Sequence, residues 1–140
     1  MSGKEKMLAG KLYDPSDEYL LKLRLNARLL TEELNTTSVE FHQKRVEIIR
    51  HLFGTTGGNI HIESYFNCDY GSNIHVGDNF YANFGCVILD VAEVKFGKNC
   101  LLAPQVGSKY PPAKPGALYW CARHGAQRLT GAVSEGGASG

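Results

Sequence analysis

Ile74-His75-Val76-Gly77-Asp78-Asn79 returns 20 residues later as Val94-Lys95-Phe96-Gly97-Lys98-Asn99. Both copies run aliphatic, variable, hydrophobic, glycine, variable, asparagine. Ile60-His61-Ile62 is a fainter earlier echo. A unit this short cannot own a core, so repeats of this kind stack on their neighbours as a solenoid. Glycine and asparagine suit its tight corners because both tolerate positive φ. The same spacing also fits two antiparallel hairpins with Gly-Asp-Asn and Gly-Lys-Asn turns, and spacing alone leaves both open.

Ahead of the repeat the chain reads as two amphipathic helices. Asp14-Pro15-Ser16-Asp17 is a start signal, with Asp14 as cap and Pro15 at the first helical position. Leu20, Leu23, Ala27, Leu30 and Leu34 then form one apolar stripe. Asn35 to Ser38 breaks the pattern, and Ser38 is placed to cap a second helix carrying Phe41, Arg45, Ile48, Ile49, Leu52 and Phe53 on one side, ended by Gly54. Two such stripes need a larger surface to lie on.

Charge divides the chain. Residues 1–106 hold 11 Lys and Arg against 13 Asp and Glu, whereas residues 107–140 hold 4 against 1, with 7 of the 16 glycines and 3 of the 5 prolines. This places a boundary at Gly107, beyond which no helical or strand period runs. A net charge of +1 gives no reason to expect nucleic acid or an anionic membrane as partner. No apolar run reaches the ~20 residues of a membrane span. Cys68, Cys86, Cys100 and Cys121 form no C-x-x-C pair, no metal site is expected, and scattered thiols point to the cytoplasm.

Two blocks carry a family resemblance. Met7-Leu8-Ala9-Gly10-Lys11-Leu12-Tyr13-Asp14 resembles the opening of the maltose and galactoside O-acetyltransferases, relatives of the nodulation acetyltransferases. Phe66-Asn67-Cys68-Asp69-Tyr70-Gly71-Ser72-Asn73, continuing through the first repeat to Phe84, is similar to that family's first coils, as are Cys86 to Asp90 and Gly97 to Pro104. The resemblance implies a left-handed parallel β-helix of hexapeptide repeats, incomplete here, preceded by two amphipathic α-helices. Residues 1–56 then form a helical region, residues 57–106 a partial β-helix, and residues 107–140 an irregular, disordered or frameshifted tail.

It also implies transfer of acetyl from acetyl-CoA to a sugar hydroxyl, in trimers with active sites between subunits. A histidine acts there as general base, because imidazole titrates in the range that can take a proton from a sugar hydroxyl. Four positions match acceptor-side residues of the family: Asp69, Tyr81, Asn83 and Asp90. Each has a plainer use, Asn83 and Asp90 as partners of backbone groups at corners and Tyr81 as surface packing.

The chain departs from the family at about Val106. The base histidine is expected just after Ala103-Pro104 in a Thr-His-Pro context, and it does not occur there. His42, His51, His61 and His75 lie upstream, and Arg123-His124-Gly125 matches nothing in the family. The coils expected to contact CoA do not follow either. A frameshift or altered splice near Val106 produces such a junction. Two functions are therefore carried: a sugar O-acetyltransferase impaired in this chain, or an inactive truncated variant that binds sugar or joins trimers of full-length partners.

Overall fold

A computed structural model describes residues 1–104 and the backbone of two later strands, Tyr119–Cys121 and Gln127–Leu129. Three helices come first: α1 (Gly3–Leu8), α2 (Glu18–Thr36) and α3 (His42–Leu52). α1 is an addition to the two expected. It is fixed by a capping box in which the Glu5 amide donates to Ser2 Oγ at 3.1 Å and the Ser2 amide to Glu5 Oε2 at 2.7 Å.

Both expected caps are corrected. α2 begins at Glu18 with Asp17 as cap, its Oδ1 accepting from the Leu20 amide at 3.1 Å. Asp14 instead accepts from the Ser16 amide at 2.8 Å, folding Pro15-Ser16 into a turn. Ser38 likewise serves the turn before α3, accepting from the Glu40 amide, and Phe41 occupies the cap position of α3 without a side-chain cap bond. In each case the side-chain oxygen closes a local turn instead of capping the helix.

Leu20, Ala27 and Leu34 bury the stripe of α2, and Ile48, Ile49 and Leu52 that of α3. Each fully buried leucine or isoleucine contributes roughly 1.5–3 kcal/mol relative to exposure. Phe41, expected on the α3 stripe, stays exposed. Arg45 takes an inward place, donating to the carbonyls of Leu34 (2.6 Å), Thr37 (2.7 Å) and Ile62 (2.7 Å). Asn35 docks α2 in the same way, exchanging two 2.9 Å bonds with the Phe66 backbone.

Seven short strands follow: β1 (Ile60–Ile62), β2 (Asn67–Cys68), β3 (Ile74–Val76), β4 (Phe80–Ala82), β5 (Val87–Ile88), β6 (Val94–Phe96) and β7 (Leu101–Leu102). They pair in parallel as β1-β4-β7, β2-β5 and β3-β6, and each pairing links residues 20 positions apart, such as Ile60 with Phe80 and Ile74 with Val94. The parallel register excludes the hairpin alternative. β1, β3, β4 and β6 each turn their first and third residues into the core. β8 (Tyr119–Cys121) and β9 (Gln127–Leu129) form a separate antiparallel pair. The rest of the expected irregular tail, His124 included, lies outside the described residues, as do Gln105 and Val106 at the end of the expected β-helix.

The corner residues divide their work. Asn59, Asn79 and Asn99 hold φ of 54°, 58° and 57°, and their amides form a ladder, Asn59 Nδ2 to Asn79 Oδ1 at 3.1 Å and Asn79 Nδ2 to Asn99 Oδ1 at 2.8 Å. Gly77 is needed for a different reason from the one expected. A Cβ there would stand 2.9 Å from the Gly97 backbone, so it permits stacking rather than positive φ. Asn79→Gly keeps the left-handed conformation and loses only the two exposed ladder bonds, which both variants lose. Asn79→Val is expected to cost about 1–3 kcal/mol through strain at positive φ. Urea unfolding midpoints of the two variants check this, and equal midpoints would refute it.

Candidate functional site

The loop between β2 and β3 gathers polar groups beneath the helices. Asp69 stands half-buried at its start, and Tyr70 packs with Met7 and Leu20 in a small cluster joined by Tyr13, Leu23 and Val91. Arg24 of α2 donates Nη1 to the Tyr70 hydroxyl at 2.7 Å and Nη2 to the Pro15 carbonyl at 2.6 Å, its guanidinium 5.7 Å from the Tyr70 ring centre. Burial pushes the Asp69 carboxyl above the usual range, while the charges of Arg24 and Arg28 pull it down. Gly71 holds φ +73° and a Cβ there would meet Leu52 at 2.5 Å, so α3 presses directly on this loop. Arg24 escaped the reading of the sequence, because its partners lie 9 and 46 residues away.

Asp90 faces inward. It is fully buried and accepts from the amides of Asp69, Tyr70 and Asn73, the backbone use foreseen as its plainer alternative. Burial pushes its carboxyl up to about 7, the charge of Asp69 adding and the amide bonds opposing. The sign follows. A carboxyl titrating near 3.9 when unfolded and near 7 when folded contributes stability that is complete below about 4 and lost as pH rises through about 7. Asp69 shifts in the same direction. Urea unfolding at pH 5 and pH 8 is expected to show the higher midpoint at pH 5, and the reverse order contradicts this assignment.

Tyr81 and Asn83 belong to a different ladder. Tyr81 stacks on His61 with ring centres 5.3 Å apart and planes at 5°, and His61 stacks on His42 at 5.8 Å. His61 Nε2 lies 2.6 Å from Glu63 Oε1, which also accepts from the Tyr81 hydroxyl at 3.4 Å. Asn83 Oδ1 accepts from the Phe84 amide at 2.9 Å. The four sequence-derived residues thus fall into two pairs, Asp69 with Asp90 in direct contact and Tyr81 with Asn83 along one strand and its exit. Beside the latter, Ser64, Tyr65, Phe84, Gly85 and Pro104 line an open depression of about 370 Å³.

The other histidines are engaged. His75 contacts Glu93 at 2.5 Å and Thr55 Oγ1 at 2.9 Å, and His51 Nδ1 meets the Glu47 carbonyl at 2.7 Å. Among the described residues, no group of three or more His, Cys, Asp or Glu side chains is arranged to hold a metal ion. No described helix is long and apolar enough to cross a membrane.

Residues 6–57 match the family described as the maltose acetyltransferase hexapeptide capping motif. The galactoside O-acetyltransferase of Escherichia coli K12 is 41% identical over 102 residues, 73% of this chain and 50% of that protein. The crystal structure of a maltose O-acetyltransferase from Clostridium difficile 630 superposes with a TM-score of 0.76 at 46% identity, covering 81% of this chain and 62% of that one. A hexapeptide-repeat acetyltransferase of Vibrio cholerae, solved with acetyl coenzyme A, gives a TM-score of 0.62 at 30% identity, covering 73% and 58%. The chain spans about half the length of the curated relatives it matches. Over this matched portion, the chain carries the maltose acetyltransferase hexapeptide capping motif and is a homologue of the maltose and galactoside O-acetyltransferases.

Proposed function

We propose that this chain carries the acceptor side of a sugar O-acetyltransferase that takes its acetyl group from acetyl-CoA, on a left-handed parallel β-helix. The observation that carries the reading is the cluster of Asp69, Tyr70 and Arg24 seated under helices that match the maltose acetyltransferase motif. The buried Tyr70 hydroxyl fixes the Arg24 guanidinium, and a half-buried carboxylate with a guanidinium nearby offers both acceptors and donors, which is what several sugar hydroxyls require.

Tyr81 and Asn83 are proposed to contact the acceptor from the other ladder. Because the two pairs occupy different corners, a pocket that uses both is completed by a neighbouring subunit in a homotrimer. Asp90 acts from within, through the loop that bears Asp69. The cytoplasm is the proposed location.

In this reaction the sugar hydroxyl attacks the thioester carbonyl, a base takes the hydroxyl proton, and CoA leaves as the thiol. The described histidines already have partners, and His124 lies outside the described residues. Among the described residues, those lining the open depression near Phe84 include no cation to meet the phosphates of CoA. Acetyl transfer by this chain is therefore proposed to be impaired. The alternative, an inactive variant that binds sugar or joins trimers of full-length partners, draws on the half-length match.

Saturation-transfer NMR tests the acceptor side. Maltose, glucose and methyl galactoside are each mixed with the purified protein. At least one is expected to show transfer that Asp69→Asn abolishes. No transfer from any of the three rejects the acceptor-side reading.

A further inference from the structure

One side chain holds the Asp69 loop from inside. Asp90 Oδ1 accepts from the amides of Asp69 at 3.1 Å and Tyr70 at 2.9 Å, and Oδ2 from that of Asn73 at 3.3 Å. Asn73, itself 2% exposed, answers by donating Nδ2 to the Asp90 carbonyl at 2.7 Å. The Asn73 carbonyl in turn accepts from the Val94 amide at 2.8 Å, so the loop is tied to the next strand as well.

A carboxylate buried this deeply is expensive unless paired, and here its partners are amides rather than a cation. The residue type has a reason. Three N–H groups converge on the two carboxyl oxygens, and a carboxyl group, whose O–H can turn away when it is protonated, meets them without the fixed NH2 that an amide would present. Three bonds from one five-residue stretch fix its rotation as well as its place. Leu52 against Gly71 closes the opposite side. The direction in which Asp69 leaves the backbone is thereby set.

We propose that Asp90 is a positioning residue for the acceptor site: by holding the amides of Asp69, Tyr70 and Asn73 it aims the half-buried Asp69 carboxylate at the hydroxyls of a bound sugar. This rests on the acceptor-side reading above. The ionisable groups facing Asp90 are Cys68 and Asp69 from the loop side, with Arg24 and Arg28 of α2 acting on Asp69 from beyond.

The test compares the wild-type chain with Asp90→Asn and Asp69→Asn by hydrogen exchange and by saturation transfer from maltose, glucose and methyl galactoside. Asp90→Asn keeps the volume but turns an NH2 toward the Asn73 amide. Exchange at Asp69, Tyr70 and Asn73 is expected to quicken about tenfold or more in Asp90→Asn. The amides of Tyr81 and Asn83, which donate to the Cys100 and Leu102 carbonyls, stay unchanged. Asp69→Asn leaves exchange as in wild type. Sugar transfer is lost in both variants.

Unchanged loop exchange in Asp90→Asn overturns the proposal. So does a loosened loop that still binds sugar as wild type does. Absence of transfer in wild type rejects the acceptor-side reading and the positioning role with it, while the exchange data still decide whether Asp90 holds the loop. If Asp90→Asn does not fold, the wild-type protein decides. The amide protons of Asp69, Tyr70 and Asn73 are expected to shift together with pH, at the midpoint where the Asp90 carboxyl carbon titrates. Separate midpoints, or the midpoint of Asp69, overturn it.

Discussion

Incubated with acetyl-CoA and a panel of sugars, the purified 140-residue chain is expected to release free CoA thiol no faster than the uncatalysed background. A sugar hydroxyl is a poor nucleophile near neutral pH, and a missing general base commonly lowers the rate by ~10² to 10⁴. Of the described histidines, His61 and His75 face glutamates, His51 a backbone carbonyl, and His42 the His61 ring. None lies in the Asp69 loop. His124→Ala is the informative control. Activity that this change removes would mean that the segment after Val106 supplies a base. Activity that survives it would place the chemistry within residues 1–106 and end the impaired reading. Silence in both proteins, together with sugar transfer by NMR, leaves an acceptor side without turnover.

The largest loss of stability is expected from Arg45→Met. Arg45 is 5% exposed, and its guanidinium supplies the hydrogen bonds to three carbonyls, those of Leu34 and Thr37 around the end of α2 and that of Ile62 at the end of β1. Burial lowers its pKa and the charge of Glu63 opposes the shift, yet an arginine remains charged throughout the accessible range. Methionine keeps much of the apolar stem but leaves the carbonyls without a donor, at roughly 1–3 kcal/mol for each one that stays buried. A loss on the order of 3–5 kcal/mol is a large share of the 5–15 kcal/mol that holds a typical domain together. Guanidinium denaturation of wild type, Arg45→Met and Arg45→Lys provides the measurement. Lysine, a single ammonium without the planar fork, is expected to recover only part of the loss. A loss under 1 kcal/mol for methionine would show that water replaces the guanidinium at all three carbonyls.

The repeat was readable because its corners impose residue types. Asn79 and Asn99 must adopt positive φ, and Gly77 must admit the Gly97 backbone. The preceding copy, Thr55-Thr56-Gly57-Gly58-Asn59, was missed. It has the glycine and the left-handed asparagine, and Thr55 bridges to His75, but Gly54 and Thr56 stand where the later copies carry hydrophobic residues. α1 escaped because six residues show too little period, and its capping box was the only signal. The helix starts were displaced because Asp14 and Ser38 suit turns as well as caps.

The candidate site was legible as residue types and not as roles. Arg45 appeared on the apolar stripe of α3, but its carbonyl partners lie 8 to 17 residues away. Asp90 appeared as a ligand for sugar, whereas its donors come from a loop 17 to 21 residues earlier that meets it only after the ladders form. Local periodicity reports which face of an element is buried. It says nothing of which distant amide will arrive there.

The constant offset of 20 residues also quantises chain length. A single deletion between two stacked strands puts every later residue out of phase with the floor below it. Phe80, Ala82, Val94 and Phe96, which now point inward, would trade places with Tyr81 and Lys95, and the column of left-handed asparagines would break. Gene duplication in units of one storey is the change in length that such a ladder absorbs in phase. An insertion of 20 residues would therefore keep these ladders in phase, whereas a shorter one fits only in a bend outside the paired strands.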